Sequence, residues 1–346
     1  MQRLLNTLYV TSEGAWLKKD GETVVMELDN KERFRLPLHM LESIVCYGRA
    51  MVSSPLMGHC CEKGIAISFF NPNGRFQARV EGPVSGNVLL RREQYRVSDA
   101  PVRCAAIVRS ILAGKIHNQR AVVHRALRDH GASLPDAAKS ELEIAKKRLS
   151  QIVGRLMHEE TTDVLRGREG EAAQVYFGVF THFLRVTGEG FRFNGRNRRP
   201  PKDRINALLS FLYTLLTHDC RSALEGVGLD PAVGFLHRDR PGRPSLALDL
   251  AEEFRAPLAD RLALSLINRR QLVERDFVVQ ETGAVILKDD ARKTLLVAYQ
   301  ERKRETLKHP FLGEECPLGL LPHLQAQLLA RHLRGDLDGY PPFLWK

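Results

Sequence analysis

The chain lacks the features that would point to a membrane or an export route. Its strongest apolar run, at residues 207–217, is far shorter than the roughly 20 residues that a membrane-spanning helix needs. The opening residues, Met-Gln-Arg-Leu-Leu-Asn, do not contain the apolar core of a signal peptide. We therefore expect a cytoplasmic protein that makes no use of a membrane.

Cysteines in metal-ligand spacing are also missing. No Cys-x-x-Cys pair occurs, which excludes the usual zinc and iron–sulfur patterns. The adjacent Cys60 and Cys61 could form a redox device, but reduced thiols that pack as small apolar side chains are the simpler interpretation. The six cysteines are Cys46, Cys60, Cys61, Cys104, Cys220 and Cys316.

Acidic residues are outnumbered by basic ones. Lysine and arginine total 52 against 41 aspartates and glutamates, which leaves a formal net charge of +11. This balance favours a polyanionic partner, nucleic acid before an anionic membrane surface. With 346 residues, the chain can bury a substantial core in one large or two ordinary domains.

The hydrophobic pattern changes near residue 83. Residues 1–83 contain short runs separated by turn signals such as Asp20-Gly21 and Asn71-Pro72-Asn73-Gly74, which predict β-hairpins. From Asn87 onward, apolar residues recur with the period of a helix. We predict an α+β fold, in which a small N-terminal β-domain (1–83) precedes a larger, mostly α-helical domain (84–346).

Local signals predict several boundaries in the helical part. Asp203 is placed to cap the helix that follows it, and Pro257 should end or kink the helix before it. The run from Phe277 to Leu287, broken at Thr282-Gly283, predicts a hairpin. The ending Tyr-Pro-Pro-Phe-Leu-Trp-Lys is too rich in proline for a helix, so we expect it to lie against the protein body.

One stretch brings a histidine and two acids close together in sequence. His237 lies in a loop rich in Arg, Pro and Gly, and Asp249 and Glu252 follow on an amphipathic segment. On a helix, carboxylates three residues apart project toward one side. An imidazole above two carboxylates makes a mixed nitrogen and oxygen site, which suits Mg²⁺ or Mn²⁺ better than structural zinc.

The same stretch has an ordinary interpretation. Leu246, Leu250, Phe254 and Leu258 form an apolar stripe at helical spacing. The acids would then lie on the opposite, solvated face and bind nothing.

A further carboxylate, Glu169, lies between Gly167 and Gly170. An apolar helix follows, so the pattern places Glu169 near a helix N-terminus, where the dipole favours an ionised carboxylate. A charge that only stabilises the helix end is the alternative. The two glycines favour a site, because they let a ligand or a backbone come close.

The most basic stretch lies between Gly188 and Arg204. Pro200-Pro201 make it an extended loop, and its arginines alternate with Phe191 and Phe193. Guanidinium groups interleaved with aromatic rings suit phosphates and unstacked bases, although a solvated charge run has the same composition. The predicted DNA-binding residues are Arg192, Arg196, Arg198, Arg199, Lys202 and Arg204.

Several blocks in a fixed order resemble the CRISPR-associated integrase/endonuclease family, the larger protein of the spacer-acquisition complex. The resemblance covers nearly the whole chain and is closest to the subtype I-C branch. The blocks are SPLMGHC at 54–60, GRFQARVEGP at 74–83, GNVLLRR at 86–92, RPPKDRINALLS at 199–210 and YPPFLWK at 340–346.

The resemblance implies a metal-dependent active site in the helical, catalytic domain. The family pattern of Glu, His and two acids three residues apart falls on Glu169, His237, Asp249 and Glu252, as ligands of Mg²⁺ or Mn²⁺. The last acid of the pattern is often Asp, whereas this chain has two adjacent glutamates. Glu253 is therefore an alternative to Glu252 as the fourth ligand.

The implied function is the joining of DNA 3′-hydroxyl ends to the CRISPR repeat array, with DNA cleavage as a second activity. The implied partners are protospacer DNA fragments, the repeat array, a second copy of the chain in a homodimer, and a small ferredoxin-like adaptation protein. Two other functions stay open. One is a basic DNA-binding scaffold without catalysis, and the other is a repair nuclease that acts on DNA junctions.

Overall fold

The computed structural model describes residues 7–41, 43–71, 76–82, 88–157, 161–186, 189–197 and 200–345. The strands are β1 Thr7–Val10, β2 Trp16–Asp20, β3 Thr23–Leu28, β4 Lys31–Pro37, β5 Ser43–Tyr47, β6 Met51–Val52, β7 Ala66–Phe70, β8 Phe76–Val80, β9 Phe277–Val279, β10 Val285–Leu287, β11 Thr306–Lys308 and β12 Glu315–Pro317. The helices are α1 Ser54–Lys63, α2 Val88–Asp99, α3 Pro101–His130, α4 Asp136–Arg155, α5 Thr162–Gly178, α6 Arg204–Gly226, α7 Ser245–Phe254, α8 Arg261–Asn268, α9 Asp289–Arg304 and α10 Leu321–Leu333.

The order of these elements confirms the predicted α+β fold, since strands dominate before residue 81 and helices afterwards. The chain divides into two compact units. The first comprises Met1–Ser85 with Leu287–Arg304, and the second comprises Gly86–Ile286 with Glu305–Lys346. Helix α9 belongs to the first unit in this division.

The first unit contains two four-stranded sheets. One has the order β1-β5-β7-β8, with β1, β5 and β7 parallel and β8 antiparallel to β7. The other has the order β4-β3-β2-β6, and its β2–β3 hairpin closes at Asp20↔Thr23, as the Asp20-Gly21 signal predicts. Alternating apolar residues of both sheets, such as Leu17, Val24 and Ile44, are buried in a common core. The second predicted turn covers residues 71–74, and all of it after Asn71 lies outside the described residues.

Long helices build the second unit, and α3 is central to it because it packs against α2, α4, α5 and α7. Asp203 caps α6 as predicted, with its Oδ1 accepting from the Asn206 backbone N at 2.7 Å. The β9–β10 hairpin is also confirmed. The short β11–β12 pair was not predicted from the sequence.

The helix that carries Glu169 begins earlier than the sequence pattern indicated. Helix α5 starts at Thr162, where Thr161 Oγ1 accepts from the backbone N of Val164 at 3.4 Å. Glu169 therefore lies in the middle of the helix, and its predicted place near the N-terminus is wrong. The apolar face that begins at Leu165 carries the helix through Gly167 and Gly170, and its packing outweighs a cost of about 1 kcal/mol per glycine.

Pro257 interrupts the helix of the acidic stretch, as predicted. Helix α7 ends at Phe254, a π-helical turn covers Arg255–Asp260, and α8 follows. Proline has no N–H, so the Glu253 carbonyl loses its ordinary partner four residues ahead. The side chain of Asn118 on α3 replaces it, with Nδ2 donating to Glu253 O at 2.7 Å.

All six cysteines are free thiols, and five of them are buried, in agreement with their interpretation as small apolar side chains. Across the described residues, no helix combines the length and apolar character needed to cross a lipid bilayer.

Candidate active site

The acids of α7 are buried rather than solvated. Asp249 and Glu253 have no exposed surface, and Glu252 is 3% exposed. Helix α7 is surrounded by α3, α6 and α10, so it has no free face on which the acids could meet water. The ordinary interpretation of this stretch is therefore wrong, and each buried carboxylate must have partners in the protein.

Asp249 holds the loop that carries His237. Its Oδ2 accepts from the backbone N of Phe235 at 2.7 Å and of Leu236 at 2.9 Å, and its Oδ1 accepts from the His237 backbone N at 2.9 Å. Gly234 permits this close approach, because a Cβ there would lie 2.9 Å from Asp249 Oδ2. The helix and the loop thus form one rigid unit at this point.

The same carboxylate orients the imidazole. His237 Nδ1 lies 2.6 Å from Asp249 Oδ1, an atom that can only accept, so Nδ1 carries the proton. The other ring nitrogen, Nε2, then has its lone pair available and lies 3.9 Å from Glu252 Oε1. A carboxylate behind a histidine is a common way to orient a metal-binding imidazole.

Glu252 lies between two cations. Arg255 Nη1 donates to its Oε1, and Lys115 Nζ is 2.8 Å from its Oε2. Burial opposes ionisation of this carboxyl, but the charges of Arg255 and Lys115 outweigh it and lower its pKa below the usual range. Oε2 accepts no hydrogen bond of good geometry from the described residues, so this buried oxygen has only the ion pair with Lys115.

Lys115 connects Glu252 with Glu169. Its Nζ donates to Glu169 Oε1 while pairing with Glu252, so one ammonium bridges carboxylates from α5 and α7. The Glu169 side chain is 31% exposed, which leaves it reachable from solvent. The flanking Gly167 and Gly170 face open space, since an added Cβ at either would meet nothing within 4 Å.

The structure therefore brings all four predicted residues into one connected cluster, in which Lys115 joins Glu169 to Glu252. Within the described ranges, no three Asp, Glu, His or Cys side chains converge as tightly as ligands of one ion. The position that the two glutamates share is taken by the lysine ammonium. The oxygens of Glu169 and Glu252 and Nε2 of His237 are donors of the chemical types that Mg²⁺ or Mn²⁺ accepts.

Glu253 faces away from this cluster. Its Oε1 accepts from Tyr340 Oη at 2.6 Å, and its Oε2 accepts from Gln325 Nε2 at 3.0 Å and the Phe343 backbone N at 2.7 Å. Burial raises the pKa of its carboxyl to about 8. The geometry thus favours Glu252 over Glu253 as the acid that meets His237 and Glu169.

The basic loop is only partly directed to solvent. The Arg192 and Lys202 side chains are exposed. Arg196 points inward, where Nη1 donates to Asn206 Oδ1 at 2.5 Å and the guanidinium carbon lies 5.0 Å from the Tyr213 ring centroid. Arg204 donates to Gly190 O at 2.8 Å and Glu274 Oε1 at 2.5 Å. Arg198 and Arg199 lie outside the described residues.

Sequence reasoning missed the cations of the cluster. Lys115 has a recognisable signal, because it interrupts the apolar stripe of α3 between Ile111 and Val122 and is only 5% exposed. Arg255 lies three residues after Glu252, the spacing of a helical ion pair. A second missed group is Asp260, which accepts from Tyr213 Oη at 2.6 Å and from Tyr176 Oη at 3.0 Å.

The fold of this chain is similar to that of several solved structures, and this similarity indicates the class of protein. A CAS1 protein from Thermotoga maritima matches with a TM-score of 0.81 and 25% sequence identity, over 95% of this chain and 97% of that one. A casposase bound to integration product shares the fold, with a TM-score of 0.83 and 21% identity over 99% of this chain and 95% of that one. The fold is thus that of CAS1 proteins and of the casposase.

Sequence comparison then gives the family. The model of CRISPR associated protein Cas1 matches residues 8–301, and the chain belongs to this family. CRISPR-associated endonuclease Cas1 2 of Rhodospirillum rubrum is 61% identical over the full length of both chains. CRISPR-associated endonuclease Cas1 1 of Chlorobaculum tepidum is 54% identical, also over both full lengths. The predicted family is confirmed.

Proposed function

We propose that this chain is a divalent-metal-dependent DNA endonuclease and integrase of CRISPR adaptation. It joins the 3′-hydroxyl ends of short DNA fragments to the repeat array as new spacers. The observation that carries the proposal is the arrangement of His237, whose Nδ1 is bonded to Asp249 so that Nε2 faces Glu252. Its relatives are named endonucleases, and a solved casposase that shares the fold is described as bound to integration product.

Glu169, His237 and Glu252 would hold Mg²⁺ or Mn²⁺, and Asp249 would orient His237 from behind. The buried Oε2 of Glu252, which is paired among the described residues with the Lys115 ammonium 2.8 Å away, supports this set because it already holds a cation. Among the four ligands inferred from the sequence, Asp249 differs because both of its oxygens accept hydrogen bonds from the loop that carries His237. Such an ion supplies positive charge opposite the charge that develops on the phosphate oxygens during phosphoryl transfer.

The surrounding residues keep the site ready for this chemistry. Arg255 donates to Glu252 and, together with Lys115, lowers the pKa of that carboxyl against the effect of burial. Asp249 fixes the tautomer of His237 before any substrate arrives. Glu169, with a partly exposed side chain beside two glycines, lies where a DNA backbone can approach.

The proposed partners are protospacer DNA, the repeat array, a second copy of the chain and a small ferredoxin-like adaptation protein. A solved complex described as Cas6-RT-Cas1--Cas2 contains a chain with this fold, at a TM-score of 0.82 and 24% identity. We propose that residues 1–83 form the homodimer contact, since its sheets end in edge strands such as β4, whose unpaired backbone groups can pair with another copy. The blocks at 54–60 and 340–346 favour the subtype I-C branch.

An integration assay tests the proposal. A labelled short duplex and a repeat-bearing plasmid are incubated with the protein and Mn²⁺, with and without the small partner. Glu169→Gln, His237→Ala and Glu252→Gln should each abolish joining while the protein stays folded. Glu253→Gln is the matched control, because it removes a neighbouring carboxylate that faces away from the cluster. Full joining by a folded Glu252→Gln protein, or its loss in Glu253→Gln alone, would show that the site is wrongly assigned.

A further inference from the structure

Lys115 is a buried cation between two acids. It is 5% exposed, and its ammonium pairs with Glu169 on α5 and with Glu252 on α7. The preceding residue, Gly114, lets α3 approach α7 closely, since a Cβ there would lie 3.2 Å from Glu253 Cγ. Lys115 is therefore held between the two carboxylates by the packing of its helix.

The charges of the two glutamates are balanced without any added ion. Glu169 and Glu252 contribute two negative charges, and Lys115 and Arg255 contribute two positive charges. Two buried or half-buried carboxylates without a cation between them would repel each other at high cost. The ammonium of Lys115 thus occupies the position that a divalent ion shared by these glutamates would need.

A second acceptor for this ammonium lies one turn along the same helix. Gln119, four residues after Lys115, is 4% exposed, and its Oε1 is buried without a hydrogen-bond partner among the described residues. Residues four apart on a helix are neighbours on one face. Both residues, together with Glu169 and Glu252, line a cavity of about 30 Å³. No described residue satisfies this acceptor, so it is available to the Lys115 ammonium.

We propose that Lys115 is a resident counter-cation, whose ammonium bridges Glu169 and Glu252 when no metal is bound. When a divalent ion binds, the lysine side chain moves and its ammonium donates to Gln119 Oε1 instead. The inference rests on the proposed function, since it takes those two glutamates as metal ligands. Lys115 is here a positioning residue that keeps the carboxylates in place and weakens the affinity of the protein for the ion. After the transfer, its charge remains beside the site, where an incoming phosphate would compensate for it.

Metal affinity measured without DNA tests this exchange. The full chain is titrated with Mn²⁺, and free Mn²⁺ is followed by its electron paramagnetic resonance signal. Lys115→Met should lower the dissociation constant about tenfold or more, because the ion no longer displaces an ammonium. Lys115→Arg keeps the charge and should bind as weakly as wild type. Gln119→Leu removes the second acceptor and should weaken binding several-fold.

Two control variants separate the possible failures. Lys147→Met makes the same change at an exposed position on α4 and should leave the affinity unchanged. Glu252→Gln should lose Mn²⁺ binding. Equal affinities for wild type and Lys115→Met, with binding lost in Glu252→Gln, would overturn the exchange and leave the proposed function standing. No Mn²⁺ binding by any variant would overturn the proposed function as well.

A crystal structure of the wild type with Mn²⁺ gives an answer that does not depend on how the variants fold. The anomalous signal of the ion should lie between Glu169 and Glu252, with Lys115 Nζ within hydrogen-bond distance of Gln119 Oε1. An ammonium that stays paired with both carboxylates beside a bound ion would contradict the proposal.

Discussion

Glu252 and Glu253 are adjacent on α7, yet their carboxylates belong to different networks. Glu252 meets Lys115 and Arg255, which hold it ionised, whereas Glu253 meets neutral donors and has a pKa raised to about 8 by burial. Adjacent positions, about 100° apart around the helix, therefore hold a charged site and a neutral structural contact. Glu253 contacts Gln325, Tyr340 and Phe343, and these contacts attach the C-terminal residues to the helix that carries the site.

The Glu253 network should contribute to stability through Tyr340. Tyr340 Oη donates to Glu253 Oε1 at 2.6 Å and accepts from Gln325 Nε2 at 2.9 Å. Tyr340→Phe leaves two buried polar groups with one partner fewer, so we expect the free energy of unfolding to fall by about 1–3 kcal/mol. Urea denaturation measures this change. Tyr95→Phe is the control, because Tyr95 is 38% exposed and should lose much less; equal losses would contradict the expectation.

Asp249 should affect metal binding through His237 rather than directly. In Asp249→Asn, the side-chain amide can no longer accept hydrogen bonds through both oxygens, so the imidazole loses its fixed orientation. We expect Mn²⁺ affinity to fall about 10- to 100-fold, as is typical for partners of metal-binding histidines. His237→Ala should remove binding altogether. Calorimetric titration compares the two, and complete loss in a folded Asp249→Asn protein would indicate that Asp249 is itself a ligand.

Local sequence signals predicted the parts of the fold that depend on neighbours in the chain. The Asp20-Gly21 hairpin, the Asp203 cap and the kink at Pro257 all follow from the conformational preferences of a few residues. The start of α5 was missed because Gly167 and Gly170 suggest a helix boundary, whereas tertiary packing carries the helix across them.

The four predicted site residues were identified without their cations. The sequence brings His237, Asp249 and Glu252 within one stretch, so their chemistry is visible locally. Lys115 is far from them in sequence and reaches them only through the packing of α3 against α5 and α7. The burial of the α7 acids depends on the same packing. The helical periodicity of the apolar residues, taken alone, therefore placed these acids on a solvated face.

Asp260 should make stability depend on pH. Burial raises its pKa from 3.8 to about 6, although the hydroxyls of Tyr213 and Tyr176 oppose the shift. Between pH 3.8 and about pH 6 the folded protein binds more protons than the unfolded chain. The contribution of this carboxyl to stability is therefore complete below pH 4 and is lost as pH rises through about 6. Asp260→Asn lacks this dependence. The free energy of unfolding of the variant minus that of wild type should therefore increase by up to about 3 kcal/mol from pH 4 to pH 7.

Chemical denaturation of both proteins at several pH values checks the prediction. The comparison uses the difference between wild type and variant, which cancels the titration of other groups. A difference that stays constant from pH 4 to pH 7 would mean that Asp260 titrates alike in the folded and unfolded states.

The basic loop should reveal its DNA contacts through salt dependence. Arg192 and Lys202 are exposed, whereas Arg196 is engaged with Asn206 and Tyr213 inside the protein. Each phosphate that a side chain neutralises on duplex DNA adds about 0.9 to the slope of log K against log salt. The double variant Arg192→Ala/Lys202→Ala should therefore flatten the slope by up to about 1.8.

Arg196→Ala serves as the contrast within the same loop. Since its guanidinium contacts Asn206, its loss should lower stability and leave the salt slope nearly unchanged. Fluorescence anisotropy with a labelled duplex at several salt concentrations gives both slopes, and metal affinity without DNA should not change in the double variant. An unchanged slope in that variant would show that these two side chains do not neutralise phosphate. The DNA path would then be sought along Arg91, Arg92 and Arg96 of α2, which form another basic group in the helical part of the chain.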